Sequence, residues 1–276
     1  MNDNCIEIAD LTYSNIFKNF SLKFPDKKFI TISGPNNCGK TTLIRIIENQ
    51  IQIKNSILIY GKKQEDYKIT ELSNIIKTVI PLEFNFIENT IEEELSYQLP
   101  IELPKQIRQQ RIKEVTKKFK LTKFLTTPVE ILSDEVIIKL QLALAVINKP
   151  KVILIDDLNP YFSKKDRIEI IKTIKEFNKE ENITIIMATN NLELSLLCDY
   201  IYIINDSKIV IEGQPIDVLE KDNILNKTGL NLPFMIDLSV KLRDYDLIKT
   251  IELDCDRMVD TLWKWSLLTT HIKKIF

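Results

Sequence analysis

The sequence predicts an α/β fold built on a mostly parallel sheet, interrupted by a helical insertion and followed by a small C-terminal helical region. Three observations predict it. A complete phosphate-binding loop, Gly34-Pro35-Asn36-Asn37-Cys38-Gly39-Lys40-Thr41-Thr42, lies between an apolar run and a helical pattern. Continuous apolar runs recur with helix-favouring stretches between them, the pattern of a sheet covered on both faces. Between Glu83 and Lys149 the texture turns charged and helix-favouring, broken by Pro100, Pro104 and Pro128.

Taken in order, Ile6-Glu7-Ile8 reads as a half-exposed strand, and Phe29-Ile30-Thr31-Ile32-Ser33 as a buried one feeding the loop. Leu43, Ile44, Ile46 and Ile47 then fall on the inner face of a helix. Strand, Gly-x-x-x-x-Gly-Lys-Thr and helix in that order is the context that gives this motif its meaning. Backbone N–H groups at a helix N-terminus cradle phosphate. Lys40 is placed to reach the terminal phosphates and the Thr41 hydroxyl to hold Mg2+, so the loop predicts binding of ATP or GTP. Asn37 stands where such loops often carry glycine, and Asn tolerates the left-handed conformation better than most residues. Cys38 is a small residue in this position; if exposed, it is a point where oxidation would block nucleotide.

Ser56-Ile57-Leu58-Ile59-Tyr60 reads as a second half-exposed strand. Lys151-Val152-Ile153-Leu154-Ile155 is a central parallel strand ending in Asp156-Asp157, with Asp156 opposite Thr41 at the metal. Ile183–Ala188 and Tyr200–Ile204 supply two more strands, and a short helix follows Pro215. From about residue 223 to 276 strand character is absent.

Bulk properties exclude several classes. The chain has 276 residues and a formal net charge of −1, which predicts no footprint for nucleic acid or an anionic membrane. Glycine numbers five, and two of the five lie in the phosphate loop. Cys5, Cys38, Cys198 and Cys255 show no Cys-x-x-Cys spacing and read as free thiols of a reducing compartment. No apolar run reaches bilayer-spanning length, and Asp3 and Glu7 stand where an export signal would be basic. Membrane attachment is therefore expected through a partner. His271, the one histidine, suggests no metal or acid–base site.

Before the Asp156 strand, Leu132-Ser133-Asp134-Glu135-Val136 leads into a helical run carrying Lys139. With the loop and acidic strand end, this order resembles an ATP-binding-cassette (ABC) ATPase, whose signature there is Leu-Ser-Gly-Gly-Gln. The resemblance covers roughly residues 1–220 and includes Ser207-Lys208-Ile209-Val210-Ile211-Glu212-Gly213-Gln214-Pro215. It implies a RecA-like core sheet, an antiparallel β subdomain and a helical insertion at about 83–149. ATP with Mg2+ is the implied ligand. Thr228-Gly229-Leu230-Asn231-Leu232-Pro233-Phe234, followed by Ile236, Leu238, Val240 and Leu242, is similar to the tail of energy-coupling-factor (ECF) transporter ATPases. That likeness implies residues 1–222 as the nucleotide-binding domain and 223–276 as a dimerisation region. It also implies a second ABC ATPase as partner, and a membrane coupling subunit that drives uptake of a vitamin or metal ion. The chain would then sit on the cytoplasmic face of the plasma membrane. A plain amphipathic helix packing on its own domain is the alternative for the tail. Trp263 and Trp265 fit either an interface anchor or ordinary core, and Phe84, Phe86 and Ile87 either a docking groove at Phe84–Glu94 or packing of the insertion. Tyr13 is the candidate base-stacking aromatic.

The departures from the family pattern concern turnover. Asp157 replaces the glutamate that polarises the attacking water, and a carboxylate about 1 Å too far back can cost about a hundredfold. Asn190 replaces the switch histidine; it can hydrogen-bond phosphate but carries no proton. No glutamine stands near Val79-Ile80-Pro81-Leu82, and Ser163 replaces an aspartate that contacts the opposite subunit. In an assembled pair Ser133 would serve the partner's nucleotide, but Asp134-Glu135 sets two carboxylates beside a polyanion. The expected catalytic residues are thus Asp157, Asn190 and Ser133, with retained binding and weak turnover. A non-catalytic, nucleotide-gated scaffold is the competing expectation.

Overall fold

A computed structural model describes residues 3–81, 83, 85–158 and 161–272, with backbone alone for 265–272. Phe84 and the side chains of Trp265 and His271 lie outside the described residues. The strands are β1 (Asn4–Tyr13), β2 (Phe17–Pro25), β3 (Phe29–Ser33), β4 (Ile57–Ile59), β5 (Lys62–Lys63), β6 (Ile76–Val79), β7 (Val152–Ile155), β8 (Thr184–Ala188), β9 (Tyr200–Asn205) and β10 (Lys208–Gly213). The helices are α1 (Lys40–Ile47), α2 (Ile69–Ile75), α3 (Ile91–Gln98), α4 (Lys105–Lys118), α5 (Asp134–Ile147), α6 (Lys164–Glu181), α7 (Leu192–Ser195), α8 (Pro215–Leu219), α9 (Asp222–Leu225), α10 (Phe234–Asp244) and α11 (Cys255–Ile272).

Strands β9, β3, β8, β7 and β6 pair in parallel, and β10 adds an antiparallel edge. A four-stranded antiparallel sheet, β2-β1-β4-β5, forms a separate layer. The expected parallel sheet, antiparallel subdomain and helical insertion are all present. The pairing strand β2 had no counterpart in the sequence reading. Its apolar residues Phe17, Phe20, Leu22 and Phe24 are buried, but Asn19 at φ 52° and three register shifts against β1 break the strict alternation.

Strand periodicity divides the core. Ile153, Ile155, Ile185 and Met187 pack with α5, α6 and the helical insertion on one face of the six-stranded sheet. Their neighbours Val152, Leu154, Ile186 and Ala188 pack with α1 and the antiparallel sheet on the other. Helix α5 is apolar nearly all round, with Val136, Ile138 and Leu140–Ile147 buried, as a helix enclosed by neighbours should be. A third cluster joins Ile201 and Ile203 of β9 to Val218, Leu219, Leu225, Leu230, Ile236 and Val240.

Helix α1 must end firmly, because its other end carries the phosphate loop. Gln64, 2% exposed, donates its amide to the carbonyls of Ile46 at 3.0 Å and Ile47 at 2.7 Å, capping orphan acceptors of the last turn. Replacing Gln64→Ala strands the Ile47 carbonyl in an apolar setting, while the Ile46 carbonyl keeps the Asn49 N–H at 3.1 Å, and is expected to cost about 1.5 kcal/mol. Denaturant unfolding of the two proteins checks this, and a loss below about 0.5 kcal/mol would show that water satisfies the Ile47 carbonyl instead.

Candidate nucleotide site

The parallel register sets the carboxyl ends of β3, β8 and β7 side by side: Ile32 faces Ala188, and Ile155 faces Met187. Ligands of open α/β sheets bind outside such ends. Here three loops converge there, from Gly34, from Asp156 and from Thr189. They enclose a cleft of about 640 Å3 lined by Ile16, Asn36, Asn37, Gly39, Lys40, Thr41, Thr42, Asp156, Asp157 and Asn190. The structure therefore brings together the phosphate loop, both aspartates and the switch asparagine, which stand up to 154 residues apart.

The loop geometry is fixed by its backbone. Gly39 caps α1 at φ 102°, ψ 9°, and Asn37 adopts φ 64°, the left-handed conformation expected of it. Gly34 packs so closely that a Cβ would meet the Ile204 carbonyl oxygen at 2.2 Å and Cys38 Sγ at 2.7 Å. No side chain caps α1, and no acidic residue stands in its first turn, so its leading N–H groups are open to an anion. Lys40 Nζ donates to the carbonyls of Gly34 at 2.8 Å and Pro35 at 2.9 Å, holding the loop closed on itself. Phosphate oxygens would compete for that ammonium.

At the acidic edge, Asp156 is 9% exposed and accepts the Asp157 N–H at 3.0 Å. Asp157 Oδ1 accepts from the Thr189 hydroxyl at 3.4 Å, and Thr189 accepts the Asn191 N–H at 3.1 Å. Asn190 donates to Asn36 Oδ1 at 3.3 Å, tying the switch position to the phosphate loop. At the far end of α1, burial raises the Glu48 carboxyl above its ordinary range, opposed by Thr78 and Arg45.

Several residues singled out from the sequence lie outside the cleft. Tyr13 does not line the cleft; Ile16 does, and Tyr13 packs against the neighbouring core cluster. Ser133 is exposed at the start of α5 and is not among the cleft residues of its own chain. Glu135, one of its two acidic neighbours, pairs with Lys139 one turn on, while Asp134 stays exposed. Ser163, in the position of the missing aspartate, caps α6 by accepting the Asp166 N–H at 3.3 Å. Phe86 packs on the helical core, whereas Ile87 is 63% exposed, so the two readings of that segment divide between them. Trp263 is 67% exposed and is not core. All four cysteines are free; burial pushes Cys5 up to about 12 and raises Cys198 further, so neither is a ready nucleophile.

Sequence reasoning missed three contributors: Ile16, Thr189, and the segment Thr228–Phe234. That segment bounds a second cavity of about 550 Å3 that shares Asn36 and Asn190 with the cleft. Thr228–Phe234 stands out only for its likeness to a transporter-ATPase tail, and no local pattern places any of the three beside the cleft, because packing between separate segments brings them there.

Comparison with known proteins agrees with this geometry. Residues 17–159 match the family model described as ABC transporter. Among curated proteins, an energy-coupling factor transporter ATP-binding protein, EcfA, of Pediococcus pentosaceus is 27% identical over 96% of this chain and 99% of its own. A putative ABC transporter ATP-binding protein of Pyrococcus horikoshii is 28% identical over 96% of this chain and 98% of its own. Among solved structures, cbiO1 of Clostridium perfringens, part of an ABC transporter complex, superposes with a TM-score of 0.72. It is 23% identical over 86% of this chain and 99% of its own.

The two loop glycines should fail differently. Gly39→Ala puts a Cβ 2.6 Å from the Ile16 side chain in a left-handed conformation, so nucleotide affinity is expected to fall more than about tenfold with the fold retained. Gly34→Ala meets backbone and is expected to lower stability by about 3 kcal/mol. Fluorescent-nucleotide titration beside thermal unfolding separates the two; equal unfolding midpoints would refute the distinction.

Proposed function

Because the chain belongs to the ABC transporter family, we propose that it is the ATP-binding subunit of an ECF-type importer. In this reading it works as one of a pair of ATPases beneath a membrane coupling subunit that drives uptake of a vitamin or metal ion. End-to-end correspondence with the Pediococcus pentosaceus EcfA protein supports this most directly, since it reaches past residue 159 over 96% of the chain.

Members of the family bind ATP with Mg2+, and the donor set of the cleft fits that ligand. Gly34, Pro35, Asn36, Asn37, Cys38, Gly39, Lys40, Thr41 and Thr42 form the phosphate cradle, with the open N–H groups of α1 and the Lys40 ammonium as its positive elements. The Thr41 hydroxyl, and the Asp156 carboxylate through water, would hold the ion, a hard cation that prefers oxygen donors. Asp157 is assigned to orient and deprotonate the attacking water. Its shorter reach and its hydrogen bond to Thr189 both favour slow turnover. Asn190 is assigned to donate to the terminal phosphate, and Ser133 to act on the nucleotide of the partner chain.

The partner ATPase is proposed to meet the region 223–276, where Phe234 and Trp263 are exposed. The coupling subunit is proposed to dock at Phe84–Glu94. Glu94, fully buried, shapes that segment by accepting the N–H groups of Ile87 at 2.9 Å and Glu88 at 2.8 Å. No described helix is long and apolar enough to cross a membrane, which accords with peripheral attachment at the cytoplasmic face through those partners. One observation favours the alternative of a non-catalytic nucleotide-gated scaffold. The Glu135–Lys139 pair fills the first turn after Ser133 with side chains where the family has Gly-Gly, leaving less room for a partner's phosphates.

ATP turnover of the membrane assembly, purified through a tag on this chain, tests the reading. Asp157→Ala is expected to lower the rate at least about tenfold, and Asp157→Glu to raise it by restoring the missing methylene. A rate unchanged in both would assign hydrolysis to the partner and support the scaffold.

A further inference from the structure

The net charge of −1 averages over a strongly segregated distribution. Residues 105–123 carry eight lysines and arginines against Glu114 alone, a net +7, which leaves the remainder of the chain at −8. In the fold this segment is α4 and the turn that follows it. Ile112, Val115 and Thr116 face the core, and at 100° per residue Lys113 and Lys117 fall on the opposite, exposed side.

Some of these cations are already committed. Arg108 donates to the Ser96 carbonyl at 2.8 Å, Lys118 pairs with Glu180 at 2.5 Å, and Lys120 pairs with Glu169. Lys123, in the turn after α4, lies over the Phe124 ring at 4.8 Å, whereas Lys105, Arg111, Lys113 and Lys117 form no ion pair among the described residues. Beside them stand apolar side chains out of proportion to a solvated face. Ile101 is 86% exposed in the turn entering α4, Tyr97 is 56% exposed at the end of α3, and Ile107 is 41% exposed on α4 itself. The Arg108 bond holds the two helix ends together, so these residues share one region with the free cations.

We propose that the outer face of α4 and the turn before it rest on an anionic phospholipid surface. The free lysines and Arg111 face headgroup phosphates, and Ile101, Ile107 and Tyr97 enter the interfacial layer. Cations mixed with aliphatic and tyrosine side chains make the composition of interfacial contacts, where apolar area and charge attraction act together. A nucleic acid fits less well: a long polyanion would meet the −8 of the remaining chain, and the exposed isoleucines would gain nothing from a phosphate backbone. The contact lies beyond the attachment through partner subunits proposed above and does not depend on nucleotide or turnover.

The test uses the purified full chain, mixed phosphatidylcholine–phosphatidylserine vesicles, pure phosphatidylcholine vesicles, and duplex DNA and RNA as rival polyanions. Wild type is expected to partition onto the anionic vesicles at least about tenfold more strongly than onto the neutral ones. The preference should vanish as salt rises from about 0.1 M to about 1 M and the screening length falls from about 10 Å to about 3 Å. Arg111→Gln, Lys113→Gln and Lys117→Gln together should weaken binding more than about tenfold, at up to a factor of about five per charge. Removing three exposed lysines elsewhere, Lys54→Gln, Lys165→Gln and Lys208→Gln, should leave it within about twofold. Ile101→Ser with Ile107→Ser should weaken vesicle binding without altering the salt response. Equal partition onto both vesicle types, an equal effect of the two triple variants, or tighter binding to either duplex than to anionic vesicles would overturn the proposal. Matching thermal unfolding midpoints exclude misfolding of the variants.

Discussion

The contact of the Gly34 backbone with the Ile204 carbonyl is the constraint on which the nucleotide cleft depends. Any Cβ at that position would lie 2.2 Å from a backbone oxygen of β9, so the chain leaves β3 flush against its neighbouring strand. From there Asn37 and Gly39 turn through positive φ, and α1 starts with its leading N–H groups aimed at the space above β3, β7 and β8. Asp156, Asp157 and Asn190 face that space because their strands are in parallel register with β3, directly or through β8. Move the loop outward and the same residues would still exist, but the cradle would no longer stand opposite the carboxylates.

Within that frame, the proposed function assigns binding and turnover to different groups. The cradle is made by backbone and by Lys40, and every element of it is present. The groups that would act on water and on the terminal phosphate are side chains, and each is altered or restrained. Asp157 is short and bonded to Thr189; Asn190 is bonded to Asn36 and carries no exchangeable charge. On the proposed reading, a preformed cradle with restrained chemistry would make this a subunit that responds to ATP more readily than it consumes it.

Local charge segregation modifies how the chain can meet a membrane. A net charge near zero implies a weak long-range field only if the charges are mixed; here +7 is concentrated in residues 105–123 and −8 is distributed elsewhere. The helix that carries the excess packs through Ile112, Val115 and Thr116 onto the insertion, which fixes the direction in which its free lysines project. Charge counted over the whole chain conceals this, because it discards position.

Much of the fold was legible because it is written in local pattern. The buried strands Phe29–Ser33, Val152–Ile155 and Thr184–Ala188 announce themselves as continuous apolar runs, and Gly34, Gly39, Lys40 and Thr41 carry the pattern of the phosphate loop in their own spacing. The helical insertion shows in its composition, and the residue type of Asn37 permits the left-handed conformation that it adopts. Strand β2 was harder to read, because bulges and Asn19 spoil its alternation. Only the tertiary structure decided that Ile16 rather than Tyr13 lines the cleft, that Thr189 holds Asp157, and that Thr228–Phe234 lies beside Asn36 and Asn190. The reason is physical: local sequence sets which conformation each segment prefers, whereas such contacts arise from packing between separate segments, whose pairing no period or motif encodes.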